Sequence, residues 1–157
     1  MSPSHATGAY DDAMRRAMQV ARDVAAADGD VPVGALVLNA DGGVIGAAGN
    51  EREARHDPTA HAEVVALRLA GERLGRWNLE GCTLVATLEP CTMCAGAVVL
   101  SRVDRLVFGA YDTKAGAVGS LWDVVRDRRL NHRPEVVGGV LADEAAALLR
   151  EFFRGRR

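Results

Sequence analysis

The spacing of apolar residues along the chain predicts alternating helices and strands. Near the amino terminus, apolar side chains recur at helical spacing at Met14, Met18, Ala21 and Ala25. We therefore expect a helix over residues 11–28 that ends at Gly29. A short apolar run over residues 33–38, a turn at Asp41-Gly42-Gly43 and the apolar pair Val44-Ile45 then predict a hairpin of two strands.

The alternation continues to the carboxyl terminus. Further helices are predicted over residues 61–74, 91–101 and 143–153, and further strands over residues 82–88, 105–108 and 135–141. This order indicates an α/β fold in which helices cover both faces of a central sheet. Residues 1–9 are mostly small or polar, so we expect a flexible N-terminal tail followed by a single domain over residues 10–157.

Composition favours an ordinary globular domain. The chain has 157 residues, of which 48% are hydrophobic and 25% are charged, and this balance gives no sign of disorder. Its apolar runs fall far short of the roughly 20 residues needed to cross a bilayer, and the amino terminus does not have the pattern of a secretory signal. We therefore expect a cytoplasmic protein without a membrane segment.

The net charge of −2 is unevenly distributed along the chain. Residues 1–125 carry 11 basic and 16 acidic side chains, whereas residues 126–157 carry 8 basic and 5 acidic ones. The basic C-terminal part is either a solvated helix face or a surface that contacts RNA. Charge alone leaves both interpretations open.

The three cysteines suggest a metal site rather than a disulfide. An odd number of cysteines without an export signal favours reduced thiols, and Cys82 is expected to be a small buried residue of a strand. Cys91 and Cys94 are three residues apart, so on a helical turn they share a face and can bind one ion. Pro90 suits the start of that helix.

His61 is the expected third ligand. One nitrogen and two sulfur ligands suit zinc and leave a fourth tetrahedral position open for water, which is the arrangement of a catalytic site. Glu63 follows His61 by two residues at the predicted start of the same helix, where both side chains can reach a pocket in front of the first turn. Glu63 is therefore predicted to carry protons beside the metal without binding it.

The pattern H-x-E followed by P-C-x-x-C is the signature of zinc-dependent nucleobase deaminases. Longer segments carry a more specific match: VPVGA from Val31, Asn50, HDPTAHAEVVALR from His56, TLEPCTMCAGA from Thr87, FGAYDTKAGAVGSLWDV from Phe108, NHR from Asn131, and GGVLADEAAALLREFFRGRR from Gly138. Together they resemble the bacterial tRNA-specific adenosine deaminases. The resemblance covers nearly the whole chain after its first ten residues.

This resemblance implies a three-layer α/β/α cytidine-deaminase-like fold with a five-stranded mixed sheet. It also implies a homodimer with one zinc per subunit that deaminates adenosine to inosine at the wobble position of a tRNA anticodon stem-loop. By the same resemblance, Asn50 contacts the purine, and Val33, Ala62 and Leu88 wall its pocket. In the mechanism expected for such an enzyme, zinc activates a water molecule, and Glu63 accepts the proton of that water and passes it to the purine ring.

Two loops of the sequence depart from the family pattern. Tyr111 stands where some relatives have arginine, and the turn at Asp41-Gly42-Gly43 contains an extra residue, so the anticodon contacts are expected to differ in detail. Asp112 follows Tyr111 and has two interpretations. It either forms a turn or faces the substrate, where its carboxylate would accept a hydrogen bond from a ribose 2′-hydroxyl.

Two other functions fit part of the sequence. The zinc signature is shared by guanine and by cytosine or cytidine deaminases, which would act on small molecules and would not need a basic C-terminal region. The second alternative is a non-catalytic RNA-binding module in which zinc has four protein ligands. That module would need a fourth ligand from the remaining candidates, which are His5, His56, Cys82 and His132.

Overall fold

The structure is a computed structural model that describes residues 8–156. Within this range the strands are β1 (Gly34–Leu38), β2 (Val44–Gly49), β3 (Thr83–Leu88), β4 (Arg105–Ala110) and β5 (Glu135–Val137). The helices are α1 (Asp11–Asp28), α2 (Arg52–Arg55), α3 (Ala62–Leu74), α4 (Thr92–Leu100) and α5 (Ala142–Arg154). Most of the predicted tail, residues 1–7, lies outside the described residues.

The strands form one mixed sheet in the order β2-β1-β3-β4-β5. β1 runs antiparallel to both β2 and β3, whereas β3, β4 and β5 run parallel to one another. Leu88 pairs with Ala110, so the carboxyl ends of β3 and β4 meet at one edge of the sheet. The predicted five-stranded mixed sheet is confirmed, and the loops that leave this edge lead into the functional site.

Helices cover both faces of the sheet, as the sequence predicts. On one face, α1 and α5 pack against one of the two alternating sets of strand residues. The buried residues on this face are Met14, Ala17, Met18, Leu36, Leu38, Val85, Val107, Ala110, Val140 and Ala145. On the other face, α3 and α4 pack against the alternate strand positions, which include Ala35, Val37, Leu84, Ala86 and Leu106. The alternation of neighbouring strand residues between the two cores produces the three layers.

The last strand is shorter than predicted. The sequence pattern extends it to residue 141, but β5 ends at Val137. Gly139 has a φ of +81° and Leu141 a φ of +53°, and this left-handed backbone turns the chain into α5. The single turn of helix α2 was not predicted from the sequence. In the described part of the chain, none of the helices is long and apolar enough to cross a bilayer.

Close contact between α1 and β1 depends on a residue without a side chain. A Cβ atom at Gly34 would overlap the backbone oxygen of Ala17 in α1. Gly96 in α4 is the opposite case, because a Cβ atom there would meet nothing within 4 Å. The two glycines therefore allow a matched comparison.

We expect Gly34→Ala to lower the free energy of unfolding by about 3 kcal/mol, because the new methyl group must push α1 away from the sheet. Gly96→Ala should instead raise it by about 0.5 kcal/mol, because alanine favours the helix more than glycine. Urea unfolding of the two variants tests this. Equal stability of Gly34→Ala and the parent chain would contradict the proposed close contact.

Candidate active site

The candidate site lies where two helices begin, at the edge of the sheet where β3 and β4 end. His61 immediately precedes α3 and Cys91 immediately precedes α4, and both have extended backbone angles. Cys94 lies in the first turn of α4. The N-termini of both helices carry partial positive charge, which favours thiolate and other anionic groups at this position.

The three predicted metal ligands are close together. The Nδ1 atom of His61 is 3.6 Å from the Sγ atom of Cys91 and 3.5 Å from the Sγ atom of Cys94. Possible ligand atoms of the three residues all lie within 4.8 Å of one another. One imidazole nitrogen and two sulfurs suit zinc, so the residues fit the metal that the sequence predicts. Cys82 is buried immediately before β3, as expected of a structural residue.

The two cysteines differ in their protonation. A hydrogen bond from Cys94 holds the pKa of Cys91 at about 3, so Cys91 is a thiolate at neutral pH. The same hydrogen bond, together with burial, raises the pKa of Cys94. The proton therefore stays on Cys94 and is the one that a bound metal ion would displace.

Glu63 is buried beside the three candidate ligands. It lies in the first turn of α3 and is only 4% exposed. Burial raises the pKa of its carboxyl group, because the charged form loses its hydration. A carboxyl group with a raised pKa holds a proton more readily than an ordinary carboxyl group, which suits a group that accepts and then donates a proton.

A cavity of about 170 Å³ opens in front of these residues. His61, Glu63 and Cys91 line it together with all five residues predicted to contact substrate, which are Val33, Asn50, Ala62, Leu88 and Asp112. The structure thus brings the predicted residues to one place. Their roles toward a substrate remain predictions.

The orientation of Asn50 is fixed by the backbone that follows it. Its side-chain oxygen accepts a hydrogen bond from the amide of Arg52 at 3.2 Å, so its NH₂ group is the one that remains for a substrate. The buried Asp30 accepts hydrogen bonds from the amides of Glu53 and Ala54 at 3.1 and 3.4 Å. Asp30 therefore holds the first turn of α2, a role that the sequence analysis missed.

The structure shows the turn role of Asp112. Its Oδ1 atom accepts hydrogen bonds from the amides of Lys114 and Ala115 at 3.0 and 3.2 Å, so it does form a turn. The same residue lines the cavity. Its contact with a substrate stays a prediction.

Glu89 is a further residue that the sequence analysis missed. Its side chain is only 2% exposed and accepts hydrogen bonds from the loop that contains Asp112. Burial opposes ionisation, but hydrogen bonds from Ser120 and from backbone amides lower the pKa of Glu89 below its usual value. An acidic residue between an apolar strand and a Pro-Cys pair is the pattern that could have revealed it.

A second cavity of about 460 Å³ adjoins the first. It shares Leu88 and Asp112 with the smaller cavity and is also lined by Tyr111, Lys114 and Phe153. Tyr111 is 56% exposed and Phe153 is 53% exposed, so both rings can be reached from solvent.

An apolar groove of about 720 Å³ lies away from the candidate ligands, between α3 and α4. Trp77 and Leu100 line this groove, and each is 72% exposed. The groove contains no residue of the proposed chemistry. Its composition fits an interface rather than a catalytic pocket.

A structural zinc site with four protein ligands is not supported. Among residues 8–156, the group with suitable geometry consists of His61, Cys91 and Cys94 alone. The Nε2 atom of His132 lies 2.7 Å from the backbone oxygen of Val103, so this histidine holds a loop. His5 lies outside the described residues.

Comparison with known proteins identifies the family. The family model described as cytidine and deoxycytidylate deaminase zinc-binding region matches residues 8–110. A tRNA-specific adenosine deaminase of Bacillus subtilis (strain 168) is 52% identical over 130 residues, which are 82% of this chain and 80% of that protein. One of Haemophilus influenzae is 45% identical over 148 residues, which are 94% of this chain and 86% of that protein.

A solved structure from a study of A-to-I editing by tRNA:A34 deaminases is also similar. It has a TM-score of 0.82 and 42% identity, and the match covers 87% of this chain and 97% of that one. The domain is a zinc-binding deaminase domain, and the cluster of His61, Cys91 and Cys94 could hold one zinc ion. The chain therefore belongs to the cytidine and deoxycytidylate deaminase family and, within it, to the tRNA-specific adenosine deaminases.

Proposed function

We propose that this protein hydrolytically deaminates adenosine to inosine at the wobble position of tRNA anticodons. The observation that carries the proposal is the buried carboxyl group of Glu63, which shares one small cavity with a cluster of metal-binding geometry. This arrangement occurs in a chain that is 52% identical to a tRNA-specific adenosine deaminase.

His61, Cys91 and Cys94 are the proposed zinc ligands. When bound, zinc supplies Lewis-acid chemistry that makes water a nucleophile near neutral pH. The thiolate of Cys91 is already present at neutral pH, and Cys94 gives up its proton on binding. The partial positive charge at the start of α4 further stabilises the two sulfur ligands in their anionic form.

Glu63 is the proposed proton carrier. Deamination adds water at the amine-bearing carbon of the ring and releases ammonia, so protons must move from the water to the ring nitrogen and to the leaving amine. The carboxylate of Glu63 accepts a proton from water and then donates it, as its raised pKa allows. Its burial excludes bulk water from competing for the proton.

The proposed base pocket admits one nucleobase removed from its stack. The NH₂ group of Asn50 donates a hydrogen bond to the purine, and the apolar side chains of Val33, Ala62 and Leu88 contact its faces and edges. These side chains line the cavity in front of Glu63. The small volume of the pocket, about 170 Å³, favours a flipped-out base over a paired one.

Two observations support an anticodon stem-loop as the substrate over a free base. The second cavity presents the aromatic rings of Tyr111 and Phe153 and the ammonium group of Lys114 beside the base pocket, where neighbouring nucleotides could stack and a phosphate could bind. Residues 126–157 are also basic.

A solved guanine deaminase of Nitrosomonas europaea is similar as well, with a TM-score of 0.74 and 35% identity. Guanine deamination is therefore the second candidate activity.

We also propose a homodimer in the cytoplasm. The exposed side chains of Trp77 and Leu100 beside the groove between α3 and α4 support self-association, because burial against a second copy removes apolar surface from water. The free cysteines of the site suit a reducing compartment.

A direct assay separates the candidate activities. The protein is incubated with an anticodon stem-loop that carries a wobble adenosine, and in parallel with guanine and with cytidine. Inosine in the stem-loop, without turnover of the two small molecules, is the expected result. Turnover of guanine with an unchanged stem-loop would replace the proposed function with the second candidate.

The first site prediction concerns metal content. Cys94→Ala should lose both zinc and activity, because two of three ligands hold the ion too weakly. Cys82→Ala is the matched control, since this buried thiol lies outside the cluster and its loss should leave about one zinc per chain. Elemental analysis and the stem-loop assay measure both effects. Full activity of a zinc-free Cys94→Ala protein would refute the ligand assignment.

The second site prediction separates the proton carrier from the ligands. Glu63→Gln should keep its zinc but lower the turnover number by at least about 100-fold, because an amide cannot carry the proton. Glu144→Gln, in the first turn of α5 and exposed, is the control and should behave like the parent chain. Near-normal turnover of Glu63→Gln would exclude the proposed role.

The third site prediction concerns the choice of RNA over DNA. Asp112→Asn keeps an oxygen for the turn to Lys114 and removes a negative charge from the cavity wall, so it should raise activity on deoxyadenosine in single-stranded DNA relative to RNA. Asp41→Asn, in the exposed turn between β1 and β2, is the control. The rates are compared on matched RNA and DNA stem-loops at one salt concentration. An unchanged ratio would leave Asp112 with its turn role alone.

A further inference from the structure

The carboxylate of Glu89 lies at the centre of a loop, and the proposed chemistry does not use it. Glu89 follows β3 directly and is separated from Cys91 only by Pro90. The loop is formed by residues 112–120, which we call the 112–120 loop. Only 2% of the surface of Glu89 is exposed, although a buried carboxylate is costly unless it is well hydrogen bonded.

The two oxygens of Glu89 together accept hydrogen bonds from both ends of this loop. Oε1 accepts one from the amide of Asp112 at 3.0 Å and one from the hydroxyl of Ser120. Oε2 accepts one from the amide of Val118 and one from the amide of Ser120, each at 3.0 Å. Four hydrogen bonds are about the full acceptor capacity of a carboxylate. The loop therefore uses the hydrogen-bonding capacity of this side chain.

The loop wraps closely around the carboxylate. A Cβ atom at Gly116 would lie 2.5 Å from Oε2 of Glu89 and 2.5 Å from the backbone oxygen of Asp112, so this position has no room for a side chain. The amide of Ala117 also donates to the backbone oxygen of Pro90 at 2.8 Å. The 112–120 loop is thus fastened to the segment that leads into the proposed ligand Cys91.

We propose that Glu89 is a positioning residue that holds the 112–120 loop against the base pocket and so sets the affinity for the RNA substrate. The proposal rests on the function proposed above. Asp112 lines both the base pocket and the neighbouring cavity, and its amide is held by Glu89. Release of this amide moves the shared wall of the two cavities. It leaves His61, Glu63 and Cys94 in place, because they lie at the starts of α3 and α4 and not in the loop.

Glu89→Gln is a selective test of this arrangement. The amide oxygen of glutamine can still accept from Val118 and Ser120 on one side, and its NH₂ group can donate to the Ser120 hydroxyl on the other. The amide N–H of Asp112 would then face another donor. The substitution therefore releases the Asp112 end of the loop while it retains most of the remaining contacts.

We expect Glu89→Gln to raise the KM for the anticodon stem-loop by about tenfold, which corresponds to the loss of one hydrogen bond to a charged group. The turnover number should stay within about threefold and the zinc content should not change, because the reacting groups are elsewhere. Glu80→Gln is the matched control at the other end of β3, where the side chain is exposed, and should have the KM of the parent chain.

Hydrogen exchange provides a readout that needs no substrate. Amides in the peptide that spans residues 112–120 should exchange at least about tenfold faster in Glu89→Gln than in the parent chain, whereas Glu80→Gln should not change them. Failure of the parent chain to deaminate the stem-loop would refute the proposed function. In that case exchange still shows whether Glu89 holds the loop.

The proposal is overturned if Glu89→Gln is folded and zinc-loaded but has the KM of the parent chain. It is also overturned if the only change is a fall in the turnover number that matches the loss of zinc, since Glu89 would then support the metal site. Should Glu89→Gln fail to fold, Ser120→Ala removes one hydrogen bond and leaves the carboxylate with three amides. That variant should raise the KM by about threefold with full zinc content. An unchanged KM would again overturn the proposal.

Discussion

The site depends on the meeting of two helix N-termini at one edge of the sheet. β3 and β4 are parallel neighbours, so the chain leaves both strands at the same edge and enters α4 from one of them. α3 begins at the same place with His61, whose imidazole lies within 3.6 Å of both sulfurs. The partial positive charges of the two helices favour the thiolate of Cys91 and would also favour the thiolate of Cys94 once a metal ion displaces its proton. Packing of α3 and α4 against the sheet therefore determines the geometry of the proposed ligands.

Two buried carboxyl groups in this region have pKa values that shift in opposite directions. Glu63 has a raised pKa because its burial dominates, which suits a group that exchanges protons. Glu89 is also hidden from solvent but has a lowered pKa, because loop donors satisfy its charge, which suits a group that stays ionised. Glu63 lies deeper in the protein, and Glu89 has the larger set of hydrogen-bond donors, so the pKa values of the two carboxyl groups shift in opposite directions. This difference separates a proposed catalytic carboxylate from one that we assign to positioning.

Much of the fold could be predicted from the sequence because it depends on local patterns. Helical and alternating periodicities located most elements, and the predicted zinc cofactor is supported by the family match and by the cluster of His61, Cys91 and Cys94. The early end of β5 could not be predicted, because the left-handed backbone at Gly139 and Leu141 is a tertiary feature. Glu89 was missed for a similar reason, since its donors lie 23 to 31 residues away along the chain.

Hydrolytic deamination replaces the amine of a wobble adenosine with oxygen from water. Reaction of the stem-loop in water enriched in heavy oxygen, followed by digestion to nucleosides and mass spectrometry, tests the proposed reaction directly. We expect each newly formed inosine to carry one heavy oxygen on its base. Inosine without the label, or a stem-loop that retains its adenosine while the small nucleobases react, would contradict it.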